Sequence, residues 1–338
     1  MIKRHSLYFT APHEIAIRTE PLPELLGGQV LVKTRLSAIS AGTESLLYRG
    51  QFPENLPMDD TIHALAGQIN YPQKYGYCAV GCVIATGPGV DQSWLNRDVF
   101  AFNPHECHFS AFTEDLYPIP VNVSAEDAVF LPNMETAVNL VMDSKPIIGE
   151  HVVVLGQGII GLLTNALLAQ FPLERLITID RYANRRQLSL ELGAHVSLDP
   201  DSPDVNQALR ELIPEGADLS FELSGSPEAL NHAIALTRFS GRVVIGSWYG
   251  TKLAHLDLGG RFHRSRIQII SSQVSTLAPE YTGRWDRSRR FSIAWAMLST
   301  LNPSRFITHR FQIQDAAQAY KLIDQNPEKT IQVILEYD

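Results

Sequence analysis

The sequence predicts an α/β protein made of a compact, barrel-like β domain and a doubly wound sheet of parallel strands. Its 338 residues are too many for one small hydrophobic core, so two domains are expected. The first ~120 residues are rich in short strand patterns and turn signals. After about Ser124, strand and helix patterns alternate, which is typical of a doubly wound sheet.

The β domain is predicted from alternating apolar and polar residues and from frequent turn signals. Residues 29–40 (QVLVKTRLSAIS) alternate apolar and polar positions, as a half-buried strand does. Turn signals such as LGGQ, GPGV and FNPH recur at short intervals. In the stretch KYGYCAVGCVIATGPGV (74–90), glycines within a strand pattern indicate close backbone approach.

The second part begins with a helix pattern capped by Ser124. Strand patterns then alternate with helix patterns, and a helix from the Ser226 cap and Pro227 is expected to end just before Gly241. The near-continuous Val/Ile runs suit parallel strands that are buried on both faces. The predicted strands are EHVVVLG, ERLITID, AHVSL, ADLSFELSG, RVVIGSWYG and RIQIISSQV, and the terminal segment TIQVILEY adds one more.

Composition excludes some classes of partner. The chain has 28 Lys and Arg against 36 Asp and Glu, a net charge of −8, so we expect no nucleic-acid and no membrane partner. The basic run 283–290 (GRWDRSRR) is expected to be a solvated loop or a helix start. Three cysteines, no signal-peptide pattern and no long apolar run predict a cytoplasmic protein.

A dinucleotide fingerprint lies between a strong strand and a strong helix. Gly156, Gly158 and Gly161 have G-x-G-x-x-G spacing, which permits a tight turn, approach of a pyrophosphate and close helix packing. The pyrophosphate would lie at the helix N-terminus, beside Ile159 and Ile160. The further cofactor-binding residues that we expect follow later strands of the same sheet: Ser224, Gly246 and Ser247.

The choice between NAD and NADP depends on four residues. Asp180 ends the next strand, where a carboxylate accepts hydrogen bonds from the adenosine ribose and repels a 2′-phosphate. Arg181, Arg185 and Arg186 favour the opposite choice, since guanidinium groups bind phosphate. We expect NAD, with NADP possible and with Arg181 and Arg185 beside the cofactor.

The order of these parts resembles the medium-chain dehydrogenase/reductase superfamily over nearly the whole chain, particularly its sorbitol/threonine dehydrogenase and bacteriochlorophyllide dehydrogenase branches. The resemblance implies a GroES-like catalytic domain (1–132 and 273–338) split around a Rossmann domain (133–272). It also implies a homodimer, which an apolar edge strand at RIQIISSQV supports.

The resemblance also shows where metal ligands are missing. Zinc-containing members carry Cys, His, and Glu or Cys at positions that match Ala41, Tyr77 and Glu135 here. A catalytic zinc needs three protein ligands, so no zinc is expected. The four-cysteine structural lobe is also absent, and PHECH (104–108) is expected to be a loop that caps or lines the cleft.

Without a metal, charge on the substrate oxygen must be met by hydrogen-bond donors. Thr43 matches the family's proton-shuttling hydroxyl, although Leu46 replaces the relay histidine. Tyr77 is either the donor to the substrate oxygen or a packed side chain that fills the metal space. Glu135 is either a buried carboxyl with a raised pKa or a partner of backbone or Arg groups.

These residues are expected to line one cleft of a zinc-independent, NAD(P)-dependent oxidoreductase acting on an alcohol or ketone. An enone or quinone reductase is a second interpretation, because that chemistry also needs a donor near the carbonyl oxygen. A non-catalytic dinucleotide-binding protein is a third. The substrate itself, a small molecule, is not predicted.

Overall fold

The structure, a computed structural model, describes residues 3–22, 24–53, 56–57 and 61–338. The chain forms two compact units. The first contains the residues up to Pro132 together with Trp295–Asp338, and the second is Asn133–Ala294. The functional division at residues 132 and 272 that the sequence suggests stays a prediction.

The strands are β1 (Lys3–Ala11), β2 (Glu14–Pro21), β3 (Gln29–Ile39), β4 (Ala79–Thr86), β5 (Asp98–Ala101), β6 (His108–Phe112), β7 (Leu116–Pro118), β8 (His151–Leu155), β9 (Arg175–Ile179), β10 (Val196–Leu198), β11 (Ala217–Glu222), β12 (Thr237–Ile245), β13 (Gln268–Ser271), β14 (Ile307–Gln312) and β15 (Gln332–Glu336). The helices are α1 (Thr43–Tyr48), α2 (Ala125–Ala128), α3 (Leu131–Ser144), α4 (Ile159–Leu168), α5 (Ala183–Glu191), α6 (Val205–Leu212), α7 (Pro227–Leu236), α8 (Arg287–Leu301) and α9 (Ala316–Gln325).

The first unit is built on a seven-stranded sheet with the order β14-β15-β3-β4-β5-β7, in which β6 also pairs with β3. Strand β3 is central and runs antiparallel to β4, β6 and β15. A Cβ on Gly81 of β4 would lie 2.3 Å from the Lys33 carbonyl oxygen of β3. The close backbone approach predicted from the glycines of this stretch is therefore confirmed.

The second unit is a six-stranded parallel sheet with the order β10-β9-β8-β11-β12-β13. The chain proceeds from β8 outward to β10, then returns to β11 on the other side of β8. Ligands bind at such a topological switch point, outside the carboxyl ends of the strands. The predicted α/β fold class, with a doubly wound Rossmann sheet, is confirmed.

Two helix predictions need correction. The helix predicted from Ser124 is two helices, α2 and α3, although Ser124 Oγ does cap α2 by accepting the Asp127 N–H at 3.0 Å. The helix predicted to end before Gly241 stops at Leu236, because the following residues form β12. Strand β12 contains a register shift with Ser240 at φ +59°, so Gly241 packs inside a strand.

Within the described residues, none of the helices combines the length and the apolar character that crossing a membrane requires.

Candidate functional site

The fingerprint turn follows β8, and two of its glycines are required by backbone packing. Gly156 has φ +94°, and a Cβ there would lie 2.6 Å from Ser224 Cα. A Cβ on Gly161 would lie 2.0 Å from the Gly156 carbonyl oxygen. A side chain at either position would therefore push the turn away from β11 or from α4.

Gly158 has a different environment, because the space above it is open. A Cβ there would meet only Arg185 Nη1, at 3.8 Å. Gly158 is also the N-cap of α4 and makes no side-chain capping bond. The N–H groups of the first turn, including those of Ile159 and Ile160, therefore face a partly exposed surface with no capping side chain, which is the arrangement that binds phosphate. This geometry fits the pyrophosphate of a dinucleotide.

Asp180 lies directly after β9, where the ribose of a dinucleotide is expected. It is buried, and its Oδ2 accepts the Gln157 N–H at 2.7 Å while Oδ1 accepts the Tyr182 N–H at 2.8 Å. These bonds fix the carboxylate against the fingerprint turn. Each oxygen keeps further acceptor capacity, so the residue fits a ribose hydroxyl.

The three arginines after Asp180 have partners of their own. Arg181 pairs with Asp201 at 3.3 Å on the surface, and Arg186 pairs with Asp199 at 3.0 Å. The Arg185 guanidinium lies 4.9 Å from the centre of the Tyr182 ring. A surface pair such as that of Arg181 is weak, so it would cost little free energy to exchange Asp201 for a cofactor group.

The last predicted cofactor residues meet at the carboxyl edge of β11 and β12. The Gly246 N–H donates to the Glu222 carbonyl at 3.1 Å, and the Gly225 N–H donates to Ser247 Oγ at 2.9 Å. Ser224 lies over Gly156, and both its N–H and its hydroxyl bond Glu222. The structure thus brings these positions together, and it adds Glu222, which the sequence analysis did not single out.

In the first unit, Thr43 and Tyr77 lie in a cluster of three partly exposed hydroxyls. Tyr77 Oη donates to Ser40 Oγ at 2.5 Å and also interacts with the Thr43 side chain. Burial, together with the charge of Glu44, raises the pKa of Tyr77 to about 12. The phenol therefore keeps its proton at neutral pH and can donate it.

A fully buried pair lies behind this hydroxyl cluster. Glu44 Oε1 accepts the Ser40 N–H at 2.9 Å, while Oε2 lies 3.0 Å from His105 Nε2 and also accepts the Tyr320 hydroxyl. On its other side, His105 Nδ1 bonds Ser37 Oγ at 2.7 Å. The pair therefore anchors the backbone of Ser40, whose hydroxyl holds Tyr77.

The loop expected at PHECH has another role than lining a cleft. His105 is fully buried, so that expectation is wrong for this residue. Its ring packs on Gly76, where a Cβ would lie 2.7 Å from Cδ2 and where φ is +123°. Glu106 turns to Lys74, at 2.8 Å, and to Ser6, at 2.7 Å.

Glu135 lies on α3 in the second unit and is held by an arginine. Arg290 donates to Glu135 Oε1 from Nε at 3.1 Å and from Nη2 at 2.6 Å. Burial raises the pKa of Glu135, and the charges of Arg290 and Arg287 oppose part of that rise. Of the two interpretations of Glu135, the structure thus shows the arginine partner together with the raised pKa.

The basic run 283–290 does begin a helix, α8, but it is not wholly solvated. Arg290 is 1% exposed, and it also bonds Asn139 Oδ1 and the Val274 carbonyl, each at 2.6 Å. Thr43 and Tyr77 belong to the first unit and Glu135 to the second. That they line one cleft stays a prediction.

The donors at the three metal positions do not fit zinc. Ala41 offers a methyl group and Tyr77 a protonated phenol, and the Glu135 carboxylate is already bonded to a guanidinium. Structural and catalytic zinc sites use Cys, His, Asp or Glu ligands. Among the residues described, no group of three or more such side chains could hold a metal ion.

Comparison with protein families gives one match, to the zinc-binding dehydrogenase family over residues 160–289. This segment includes part of the fingerprint, but it does not include positions 41, 77 and 135. The match therefore concerns the cofactor-binding half of the chain rather than the metal ligands.

Full-length relatives agree with that match. D-guloside 3-dehydrogenase of Escherichia coli K12 is 25% identical, covering 97% of this chain and 98% of that protein. The alcohol dehydrogenase RspB of E. coli CFT073, solved with NADH, has a TM-score of 0.79 at 20% identity, and 99% of each chain is covered. A protein of Sinorhizobium meliloti 1021 that is named as a zinc-binding dehydrogenase and was solved with NADP has a TM-score of 0.76 at 18% identity, over 99% of this chain and 100% of that chain.

Proposed function

We propose that this chain is a zinc-independent, NAD-dependent oxidoreductase of the medium-chain dehydrogenase/reductase superfamily that acts on an alcohol or ketone. The observation that carries the proposal is the hydroxyl cluster of Ser40, Thr43 and Tyr77, in which Tyr77 is expected to match a zinc-ligand position and Thr43 the proton-shuttling hydroxyl of the family. A phenol that stays protonated can donate a hydrogen bond to the substrate oxygen, which is the role that a metal ion would otherwise have.

The cofactor would be held by the second unit. The open turn at Gly158 and the uncapped start of α4 suit the pyrophosphate, and Asp180 suits the adenosine ribose. When bound, the nicotinamide accepts or supplies a hydride. The carboxylate of Asp180 would repel a 2′-phosphate, which supports NAD as the cofactor.

Tyr77 would turn its hydroxyl hydrogen from Ser40 Oγ to the substrate oxygen. The Ser40 and Thr43 hydroxyls hold the phenol, and Glu44 fixes Ser40 through its backbone N–H. Negative charge that develops on a carbonyl oxygen during reduction is then met by a positioned donor. In the direction of alcohol oxidation, the protonated phenol is not a base, so the proton of the substrate hydroxyl would leave to water.

We extend the proposal to substrates that carry several hydroxyl groups. D-guloside 3-dehydrogenase, which aligns along nearly the whole chain, is named for oxidation of a sugar derivative. A site that positions substrate with hydroxyl groups rather than with a metal suits a polyol, whose own hydroxyls can both donate and accept.

The test is turnover of NAD and NADH with a panel of polyols, ketones and enones. Tyr77→Phe should lower turnover by about 10²–10⁴-fold and leave cofactor affinity unchanged, because the phenol acts on the transition state. Tyr71→Phe is the matched control, since it removes a hydroxyl that bonds the Leu47 carbonyl. Unchanged turnover in Tyr77→Phe would refute the donor role.

The product of the reaction distinguishes the alternatives. A ketone reduced to an alcohol agrees with the proposal, whereas a saturated ketone formed from an enone would show a conjugate reductase. Cofactor binding without turnover on any substrate would favour a non-catalytic protein.

A further inference from the structure

Glu222 is the last residue of β11, and it is fully buried at the carboxyl edge of the parallel sheet. Strand β11 pairs with β8 on one side and with β12 on the other, so Glu222 lies beside the switch point of the sheet. The position and charge of Glu222, together with the chemistry of the nicotinamide, indicate that this side chain does more than fill space in the core.

The position follows from how a dinucleotide lies on such a sheet. Each half of a doubly wound sheet takes one nucleotide, with the pyrophosphate at the fingerprint turn between them. Asp180, after β9, assigns the adenosine to the half formed by β8, β9 and β10. The nicotinamide half is then β11, β12 and β13, and Glu222 ends the first of these strands. This step rests on the proposed use of NAD.

The hydrogen bonds around Glu222 suit the carboxylate form of its side chain. Its Oε1 accepts the Ser224 N–H at 2.7 Å and the Ser224 hydroxyl at 2.5 Å, and its Oε2 accepts the Tyr249 hydroxyl at 2.5 Å. A carboxylate that receives three donors and donates nothing is the acceptor-only, charged form. Burial and this charge raise the pKa of Tyr249, so the phenol keeps its proton.

The charge is not neutralised by a neighbour. Over the described ranges, Glu222 takes part in no ion pair, whereas Glu150, before β8, pairs with Arg242 at 2.7 Å. A buried negative charge without a counter-ion acts strongly on any cation that enters the same low-dielectric region.

The oxidised and reduced forms of the cofactor differ in the charge of the nicotinamide ring. The nicotinamide ring is positively charged when oxidised and neutral when reduced. We propose that Glu222 makes the protein bind the oxidised nicotinamide more tightly than the reduced form, which lowers the potential of the bound couple and shifts the equilibrium on the protein toward reduction of the substrate. Unit charges about 10 Å apart at an effective dielectric constant of about 20 change the affinity on the order of tenfold. For a two-electron couple, a tenfold change corresponds to a shift of about 30 mV in the bound potential.

The test is Glu222→Gln, with Kd measured for NAD⁺ and for NADH by titration. The variant keeps the shape of the side chain, and the Tyr249 hydroxyl can rotate to accept from the new amide. The affinity for NAD⁺ should fall about tenfold while that for NADH changes less than about twofold. Equal weakening of both would show that Glu222 only holds the Ser224 loop, and it would overturn the proposal.

Two further variants separate charge from structure. Tyr249→Phe removes one hydrogen bond to Glu222 but keeps its charge, so the ratio of the two Kd values should stay as in the wild type. A shift of that ratio by about tenfold in Tyr249→Phe would contradict the proposal, and this readout remains if Glu222→Gln fails to fold. Glu228→Gln, the same change at an exposed position of α7, should alter neither Kd. If the wild-type protein binds neither NAD⁺ nor NADH, it is the proposed function that fails.

Discussion

Replacing Arg290 with Met should destabilise the second unit more than almost any other single change to a charged residue. The guanidinium is 1% exposed and donates to Glu135, to Asn139 and to the Val274 carbonyl. Its loss leaves the Glu135 carboxylate, itself 3% exposed, without its hydrogen-bonded ion pair and with only the more distant Arg287, at 3.9 Å. Removing one partner of a buried pair costs about 3–5 kcal/mol of the free energy of unfolding.

The loss of stability in Arg290→Met should be larger at neutral pH than at acidic pH. Burial already raises the pKa of Glu135 in the wild type, and removal of Arg290 raises it further. A carboxyl whose pKa is higher in the folded than in the unfolded state favours folding at low pH. The destabilisation of Arg290→Met should therefore be smallest below the ordinary Glu pKa of about 4.3, and it should grow as pH rises toward the raised value.

Urea unfolding of the variant and of the wild type at several pH values from about 4 to about 8 measures this effect. The double variant Glu135→Leu/Arg290→Met removes both charges and should recover most of the lost stability, because a buried pair can be exchanged for apolar groups. Arg289→Met, at the exposed neighbouring position, is the control and should change stability by less than about 1 kcal/mol. A loss below about 1 kcal/mol in Arg290→Met, or a double variant as unstable as the single one, would refute the reasoning.

Three further predictions concern the cofactor, the metal and assembly. Calorimetry should show tighter binding of NAD(H) than of NADP(H), because Asp180 lies at the ribose; the reverse order would implicate Arg181 and Arg185. Elemental analysis of protein purified without added metal should find well under one zinc per chain, and one tightly held zinc would contradict the donor set found at Ala41, Tyr77 and Glu135. Light scattering should show a homodimer, because β13 ends the six-stranded sheet with half-buried Ile269 and Ile270; a monomer at micromolar concentration would count against it.

The cofactor half could be predicted because its signals are local. Gly156, Gly158, Gly161 and Asp180 lie within 25 residues, between elements whose apolar patterns are long and regular. The fingerprint turn and the strand that precedes Asp180 therefore formed where the pattern placed them. Local spacing is enough when one βαβ unit makes the whole site.

The surroundings of the hydroxyl cluster depend on contacts that spacing does not encode. His105 meets Glu44 across 61 residues, and Tyr320 meets the same carboxylate across 276. Likewise Arg290, in a run of charges that is typical of a surface, is buried because it meets Glu135 across 155 residues. The sequence alone therefore places His105 in a loop and Arg290 in a solvated run, because the partner of each is distant in sequence.

The contact between Gly76 and the His105 ring sets limits on how the hydroxyl cluster can evolve. A mutational scan should find almost no tolerated residue at position 76, since even Ala would press into an imidazole that cannot move away from Glu44. At Gly42, next to Thr43, the backbone is ordinary and a Cβ would meet nothing within 4 Å. Libraries that seek new substrate preference should therefore vary Gly42, where side chains can be added beside Thr43 without disturbing the residues that hold Tyr77.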